Sequence, residues 1–158
     1  MTKKQEWILF LVRVSMGWVM FYAGITKVLN PNWSAAGYLN NAKTFASFFK
    51  WLASPNILPV INFINEWGLT LLGISLILGI AVKLSSMLGA ALMLLYYFPV
   101  LTFPYIGANS YIIDDHIIYA LVLILLAKFS AGRIMGLDAW CSNLSICQKY
   151  PNIRKLLG

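Results

Sequence analysis

Four apolar stretches, at about 7–28, 64–82, 84–105 and 112–131, divide this chain, and each is close to the length that crosses a lipid bilayer. A membrane-spanning helix needs about 20 predominantly apolar residues at about 1.5 Å of rise per residue. The chain has 158 residues, 60% of them hydrophobic and only 11% charged, with a mean hydropathy of +0.75. That balance excludes an ordinary water-soluble domain and a disordered chain. The sequence therefore predicts an all-α integral membrane protein, a single domain built as a four-transmembrane-helix bundle. Pro99 and Pro104 are expected to kink or end the third span.

Twelve Lys and Arg against five acidic residues give a net charge of +7. These cations form no patch interleaved with exposed aromatics, so nucleic acid is not the expected partner. They are instead distributed by side. A model with both termini cytoplasmic puts Lys3, Lys4, Lys83, Lys128, Arg133, Lys149, Arg154 and Lys155 inside, and Lys27, Lys43 and Lys50 outside. This is the asymmetry of a multi-pass plasma-membrane protein, with residues 132–158 as a short cytoplasmic tail. Lys3 and Lys4 before an apolar run resemble the start of a signal peptide. Arg13 interrupts that run and no small-residue cleavage site follows, so the segment is read as a retained first helix.

Between the first two spans, Ala35, Tyr38, Ala42, Phe45, Phe49 and Leu52 recur at spacings of three and four. The spacing predicts an amphipathic helix over about 33–53, lying in the outer interface or dipping as a lid over the bundle.

Charges within a bilayer cost about 2.5–3.5 kcal/mol each on insertion scales, so their positions carry information. Arg13, Gly17, Met20, Gly24 and Lys27 follow 4-3-4-3 spacing and share one face of the first span. The small residues on that face favour close helix approach, which turns it into the bundle. Arg13 would then snorkel to the inner surface or enter a buried ion pair. Lys27 reaches the outer end, where Glu66 and the run Asp114-Asp115-His116 also arrive. Such a cluster either neutralises charge at the helix ends or forms a polar pocket that binds a ligand and moves protons. In the second reading Glu66, Asp115 and His116 serve as the proton relay, with His116 as the switchable acid or base. Lys27, Arg13, Trp18, Tyr22 and Tyr119 would then line a ligand pocket, with Trp18 and Tyr22 placed four apart to stack on a flat ring.

No helical H-x-x-x-H or E-x-x-H spacing supports a metal site. Two cysteines and one histidine cannot assemble an iron–sulfur cluster or a bis-His haem, so any electrons must travel on a mobile molecule or through a partner protein. Cys141 and Cys147, six apart, lack the C-x-x-C spacing of tuned redox pairs. They are expected to be reduced in a cytoplasmic tail, and disulfide-bonded if the topology is inverted.

The residues also resemble the DoxX family, in particular its DoxD-like branch, named for the membrane subunit of thiosulfate:quinone oxidoreductase. The similar stretches are Arg13 with Gly17, Phe21, Ala23-Gly24 and Lys27; Trp33 through Leu39; Asn65-Glu66-Trp67-Gly68 with Gly73 and Leu78-Gly79; Asp114-Asp115-His116 with Tyr119; and Ala131-Gly132-Arg133 through Gly136-Leu137-Asp138. The resemblance implies a four-helix membrane bundle. It further implies a multi-pass subunit of a quinone-linked oxidoreductase complex, with a quinone as ligand and a protein partner in the membrane; a homo-oligomer stays open beside these, since the sequence does not fix the oligomeric state. The family's diversity leaves a second expectation, a non-catalytic assembly, chaperone or anchoring protein whose glycine-lined faces dock partner helices. No catalytic residue is carried over from the family, and the site residues above rest on position and chemistry. A transporter would be expected to show an inverted repeat, which this sequence lacks.

Overall fold

A computed structural model describes residues 1–107 and 110–141. The first helix, α1 (Lys3–Val28), opens on a reciprocal cap in which the Thr2 side chain accepts from Gln5 N–H and the Gln5 side chain accepts from Thr2 N–H. Two short helices follow, α2 (Ala36–Asn40) and α3 (Ala46–Leu52). Then α4 (Leu58–Phe63), a π-helical turn (Ile64–Gly68) and α5 (Leu69–Leu78) run on as one 21-residue helix. Gly79, at φ +73°, ends it in the left-handed conformation that glycine adopts without a Cβ penalty. The next helix, α6 (Val82–Val100), leads into a small antiparallel ribbon of β1 (Tyr105–Gly107) and β2 (Ser110–Tyr111). The described part closes with α7 (Asp115–Lys128), a 3-10 turn (Ala131–Arg133) and α8 (Asp138–Cys141).

Three helices, Lys3–Val28, Leu58–Leu78 and Val82–Val100, are long and apolar enough to cross a membrane. The α7 helix has 14 residues, about 21 Å at 1.5 Å per residue. Two boundaries differ from the sequence reading. The second long helix starts six residues earlier than Ile64, because Pro59 is tolerated in a first turn, where its missing N–H has no partner to lose. Val82 belongs to the third helix, since the Gly79 turn intervenes, and that helix stops at Val100, immediately after Pro99.

The connection between α1 and α4 also departs from expectation: it is not one continuous helix over 33–53. It breaks between Asn41 and Phe45, with Phe45 left-handed at φ 54°. The break lets the backbone bond to the end of α6, where Lys43 N–H donates to Pro99 O at 2.8 Å and the Thr44 hydroxyl donates to Leu101 O at 2.7 Å. Ala35, Leu39, Ala42, Phe49 and Leu52 are buried, packed with Trp33, Ile57, Leu58 and Ile61. Four of the six apolar positions thus face the protein, while Tyr38 and Phe45 stay exposed, and the segment folds across α4 and the end of α6.

The core joins Leu9, Met16 and Met20 of α1 to Leu69 and Leu76 of α5, Ala90 and Met93 of α6, and Leu123 and Leu126 of α7. Its closest helix pairs are α1 with α5 and α6 with α7. The α1–α5 seam is backbone on backbone. A Cβ on Gly24 would lie 2.4 Å from Thr70 N, and one on Gly73 would lie 2.3 Å from Phe21 N. The small-residue face of α1 is therefore covered by α5 of the same chain. Large apolar side chains such as Leu11, Trp18, Leu71, Leu88 and Leu121 stay exposed, as lipid contact requires of a membrane-embedded bundle.

Candidate functional site

At the end of the bundle where α1 finishes, five parts of the chain enclose a cavity of about 270 Å³. Lys27 comes from the last turn of α1, Trp33 and Tyr38 from the segment folded across the bundle, Asn65 from the π turn, Tyr96 from α6 and His116 from α7. The Lys27 ammonium lies 5.0 Å from the Trp33 ring centroid and 5.8 Å from that of Tyr96, within cation–π range of both. Glu66 is within electrostatic reach of Lys27, yet among the described residues the two form no ion pair.

The π turn sets which polar side chain faces inward. Its wider spiral buries Asn65, which accepts a hydrogen bond from the Tyr96 hydroxyl and donates to Ile61 O at 3.1 Å. Glu66, one residue on, is only half-buried. The covering segment is pinned on this side too. Tyr38 donates its hydroxyl to the Tyr96 carbonyl, and Ala35 N–H donates to the Asn62 side chain at 3.0 Å. Burial, reinforced by the charge of Asp114, pushes the Tyr38 hydroxyl up to about 12, so it remains a donor.

Asp114 organises the start of α7. Its Oδ1 accepts from the backbone N–H of His116 (3.1 Å) and Ile117 (3.3 Å), an N-cap that favours this helix start. Its Oδ2 lies 2.6 Å from His116 Nδ1. With the carboxylate ionised, Nδ1 carries the hydrogen, and Nε2 is left to accept a proton or, once protonated, to donate one. Tyr96 meets the imidazole edge-on, with ring centroids 6.1 Å apart and planes at 86°. Just upstream, Ile112 sits at φ 59°, an unfavourable conformation for a β-branched residue. It is held there by Tyr97, whose hydroxyl donates to Ile112 O at 2.6 Å, and by its own N–H to Pro104 O at 2.9 Å. Strained backbone at such a point marks a position over-determined by its surroundings.

The structure brings together Lys27 and His116, with Glu66 beside them, and not the other residues singled out from sequence. Asp115 is exposed on the outside of the first turn of α7. Tyr119 packs against the bundle core. Trp18 and Tyr22 do stack, with centroids 6.4 Å apart, but on the outer face of α1, at 58% and 60% exposure. Sequence reasoning brought Asp114 to this end without giving it a role, and it did not assign Asn65, Tyr96, Tyr38 or Trp33 to the pocket. Only Asp114 had a legible signal, an Asp two residues before His116 at the mouth of an apolar run.

Arg13 lies at the opposite end, fully buried, so it does not snorkel, and among the described residues it forms no salt bridge. Its guanidinium donates to the carbonyls of Ala131 (2.5 Å), Ile134 (3.1 Å) and Met135 (3.1 Å), tying the chain after α7 to α1. Asp138 completes this clasp by accepting from the N–H groups of Ala81 (2.6 Å) and Val82 (3.0 Å) at the start of α6. Cys141 is half-buried at the end of α8, and Cys147 lies outside the described residues, so their pairing does too.

The apolar helices, with a polar pocket closed by a folded-over segment, define a helical membrane protein with a candidate ligand site at one end of its bundle. A family model for DoxX matches residues 8–102, well over half of the chain, and the protein belongs to the DoxX family. Among curated proteins and solved structures, none matches the chain.

Proposed function

We propose that the protein is the ligand-binding membrane subunit of a quinone-linked oxidoreductase complex, of the DoxD-like type that serves sulfur-compound oxidation such as that of thiosulfate. The observation that carries this reading is the combination of one ammonium, one carboxylate-oriented imidazole and two aromatic walls around a single cavity. Its volume of about 270 Å³ is just under the range of about 300–1,000 Å³ for drug-sized sites, which limits the occupant to a small ring. The donor set fits a quinone ring, whose faces are apolar and whose oxygens accept hydrogen bonds.

A bound quinone supplies the redox chemistry, taking up two electrons and two protons at its oxygens. Lys27 opposes negative charge developing on one oxygen. His116 Nε2 delivers a proton, and Asp114 stabilises the imidazolium that precedes the transfer. Glu66, within electrostatic reach of Lys27, returns protons from the rim in this reading. Trp33 and Tyr96 hold the ring, and the segment carrying Tyr38 acts as the lid that excludes water. Electrons arrive from a partner protein, since this chain's cysteines and histidine cannot build a carrier of their own.

In this reading α7 is the fourth span, its apolar stretch extended by residues 112–114 and 129–131. Both termini are cytoplasmic and the pocket opens toward the outer leaflet of the plasma membrane. A docking role through the glycine face of α1 finds no free surface there, because α5 covers it.

The test is donor-dependent quinone reduction by the intact membrane complex. Lys27→Met and His116→Ala should each lower the rate by about 10²-fold, the order of a lost general acid, whereas Asp115→Asn should stay within about twofold of wild type. Wild-type rates in both Lys27→Met and His116→Ala would refute the proposal.

A further inference from the structure

A feature this reading leaves unexplained is a groove of about 630 Å³ between α5 and α6, more than twice the volume of the polar pocket. It follows the π turn and α5 from Ile64 to Leu78, about 21 Å along the helix. It opens because α5 pairs with α1 and α6 with α7, which leaves the two helices joined by the Gly79 turn splayed apart. The walls are Leu, Ile and Ala, and the only hydroxyls, Ser75 and Ser85, bond to each other at 2.5 Å. Ser75 also bonds to Ile80 O, so both hydroxyls are already engaged within the protein.

The groove and the pocket have no lining residue in common, but a third cavity shares residues with each. This cavity of about 70 Å³ lies between them, sharing Ile64 and Leu92 with the groove and Tyr38, Asn65 and Tyr96 with the pocket. The hydrogen bond from Tyr96 to Asn65 stands at the crossing.

Resting on the quinone reading above, we infer that the ligand is a ring carrying a long hydrocarbon tail, with the ring in the polar pocket and the tail in the α5–α6 groove. A compact polar end, a small intermediate cavity and an elongated apolar trough match a prenyl or alkyl quinone in order and chemistry. They do not match a small soluble metabolite. The tail also gives α6 a second function: Leu92 and Tyr96, one turn apart, guide it past the pocket wall.

The inference is tested on the full chain in phosphatidylcholine nanodiscs. The probes are a tail-less dimethoxy-methyl-benzoquinone and the same ring with a ten-carbon alkyl tail, each corrected for its partition into protein-free discs. Wild type is expected to bind the tailed probe at least tenfold more tightly. Leu88→Trp, which adds bulk to the groove wall, should reduce that advantage to about twofold or less. Ile74→Trp provides an independent second variant, and thermal unfolding confirms that each is folded.

Equal affinity of wild type for both probes, lost in Lys27→Met, would overturn the tail inference and leave the pocket reading standing. So would a tail advantage unchanged in both groove variants, which would assign it to the bilayer alone. A tailed probe sensitive to Leu88→Trp but indifferent to Lys27→Met and His116→Ala would mark a separate acyl-chain site, and would overturn both the inference and the pocket reading.

Discussion

Replacing Gly73 by alanine adds a single methyl group, and its cost follows from the α1–α5 seam. The new Cβ would sit 2.3 Å from Phe21 N and 2.5 Å from Phe21 Cα, against an ordinary contact of 3.4–4 Å. Both obstacles are backbone, so no rotamer change relieves them, and the helices must part locally by about 1 Å. A radial gap of 0.5–1 Å forfeits about a quarter to a half of each contact's attraction. The seam has several such contacts, with Gly17 against Ile77 and Gly24 against Thr70. Overpacking costs about 1–3 kcal/mol in general, and rigid obstacles on this side put Gly73→Ala near the upper end, about 3 kcal/mol. At about 2–4 °C per kcal/mol for a chain of this size, Tm in detergent should fall by about 6–12 °C. Gly37→Ala is the matched control, since a Cβ there meets nothing within 4 Å. Within α2 it should be neutral or stabilising by up to about 1 kcal/mol. A Tm for Gly73→Ala within about 2 °C of wild type, or equal losses in the two variants, would refute the reasoning.

Arg13→Met leaves the carbonyls of Ala131, Ile134 and Met135, the first of them buried, without their donor and should destabilise the chain by about 3 kcal/mol, with Arg13→Lys recovering only part, because an ammonium cannot reproduce the fork. Chemical denaturation in detergent would measure both, and a loss under about 1 kcal/mol would contradict the clasp. Tyr38 gives a pH prediction. Its folded-state pKa of about 12 exceeds the ordinary tyrosine value of about 10, so its contribution to holding the covering segment is complete below about pH 10 and is lost between about 10 and 12. Protease protection of residues 36–52 should therefore fall over that interval, and Tyr38→Phe should abolish the pH-dependent part.

How far the site could be read from sequence is set by what helical spacing encodes. Spacing gives depth along a helix and the relative azimuth of residues on it. That was enough to bring Lys27, Glu66 and the Asp114–His116 run to one end, and to turn the glycine face of α1 inward, where it meets α5. It also separated Asp115 from His116, which lie about 100° apart, without saying which faces the interior. The N-cap decides that. Once Asp114 caps α7, its second carboxylate oxygen is free to hold His116, and Asp115 is carried to the exterior.

The π turn explains why Asn65 went unnoticed. An ideal α-helix puts Glu66, Thr70 and Gly73 on one face, and Thr70 and Gly73 are indeed buried. The extra residue in the turn Ile64–Gly68 rotates everything before it by about one position, so Asn65 takes the inward place that 3.6-residue spacing assigns to Glu66. Arg13 escaped for a different reason. Its partners are backbone carbonyls at Ala131, Ile134 and Met135, more than a hundred residues away, and carbonyls leave no mark in side-chain composition. Side-chain patterns thus located the charges that face a pocket, but the local helix phase at Asn65 and the backbone clasp at Arg13 depend on the folded chain.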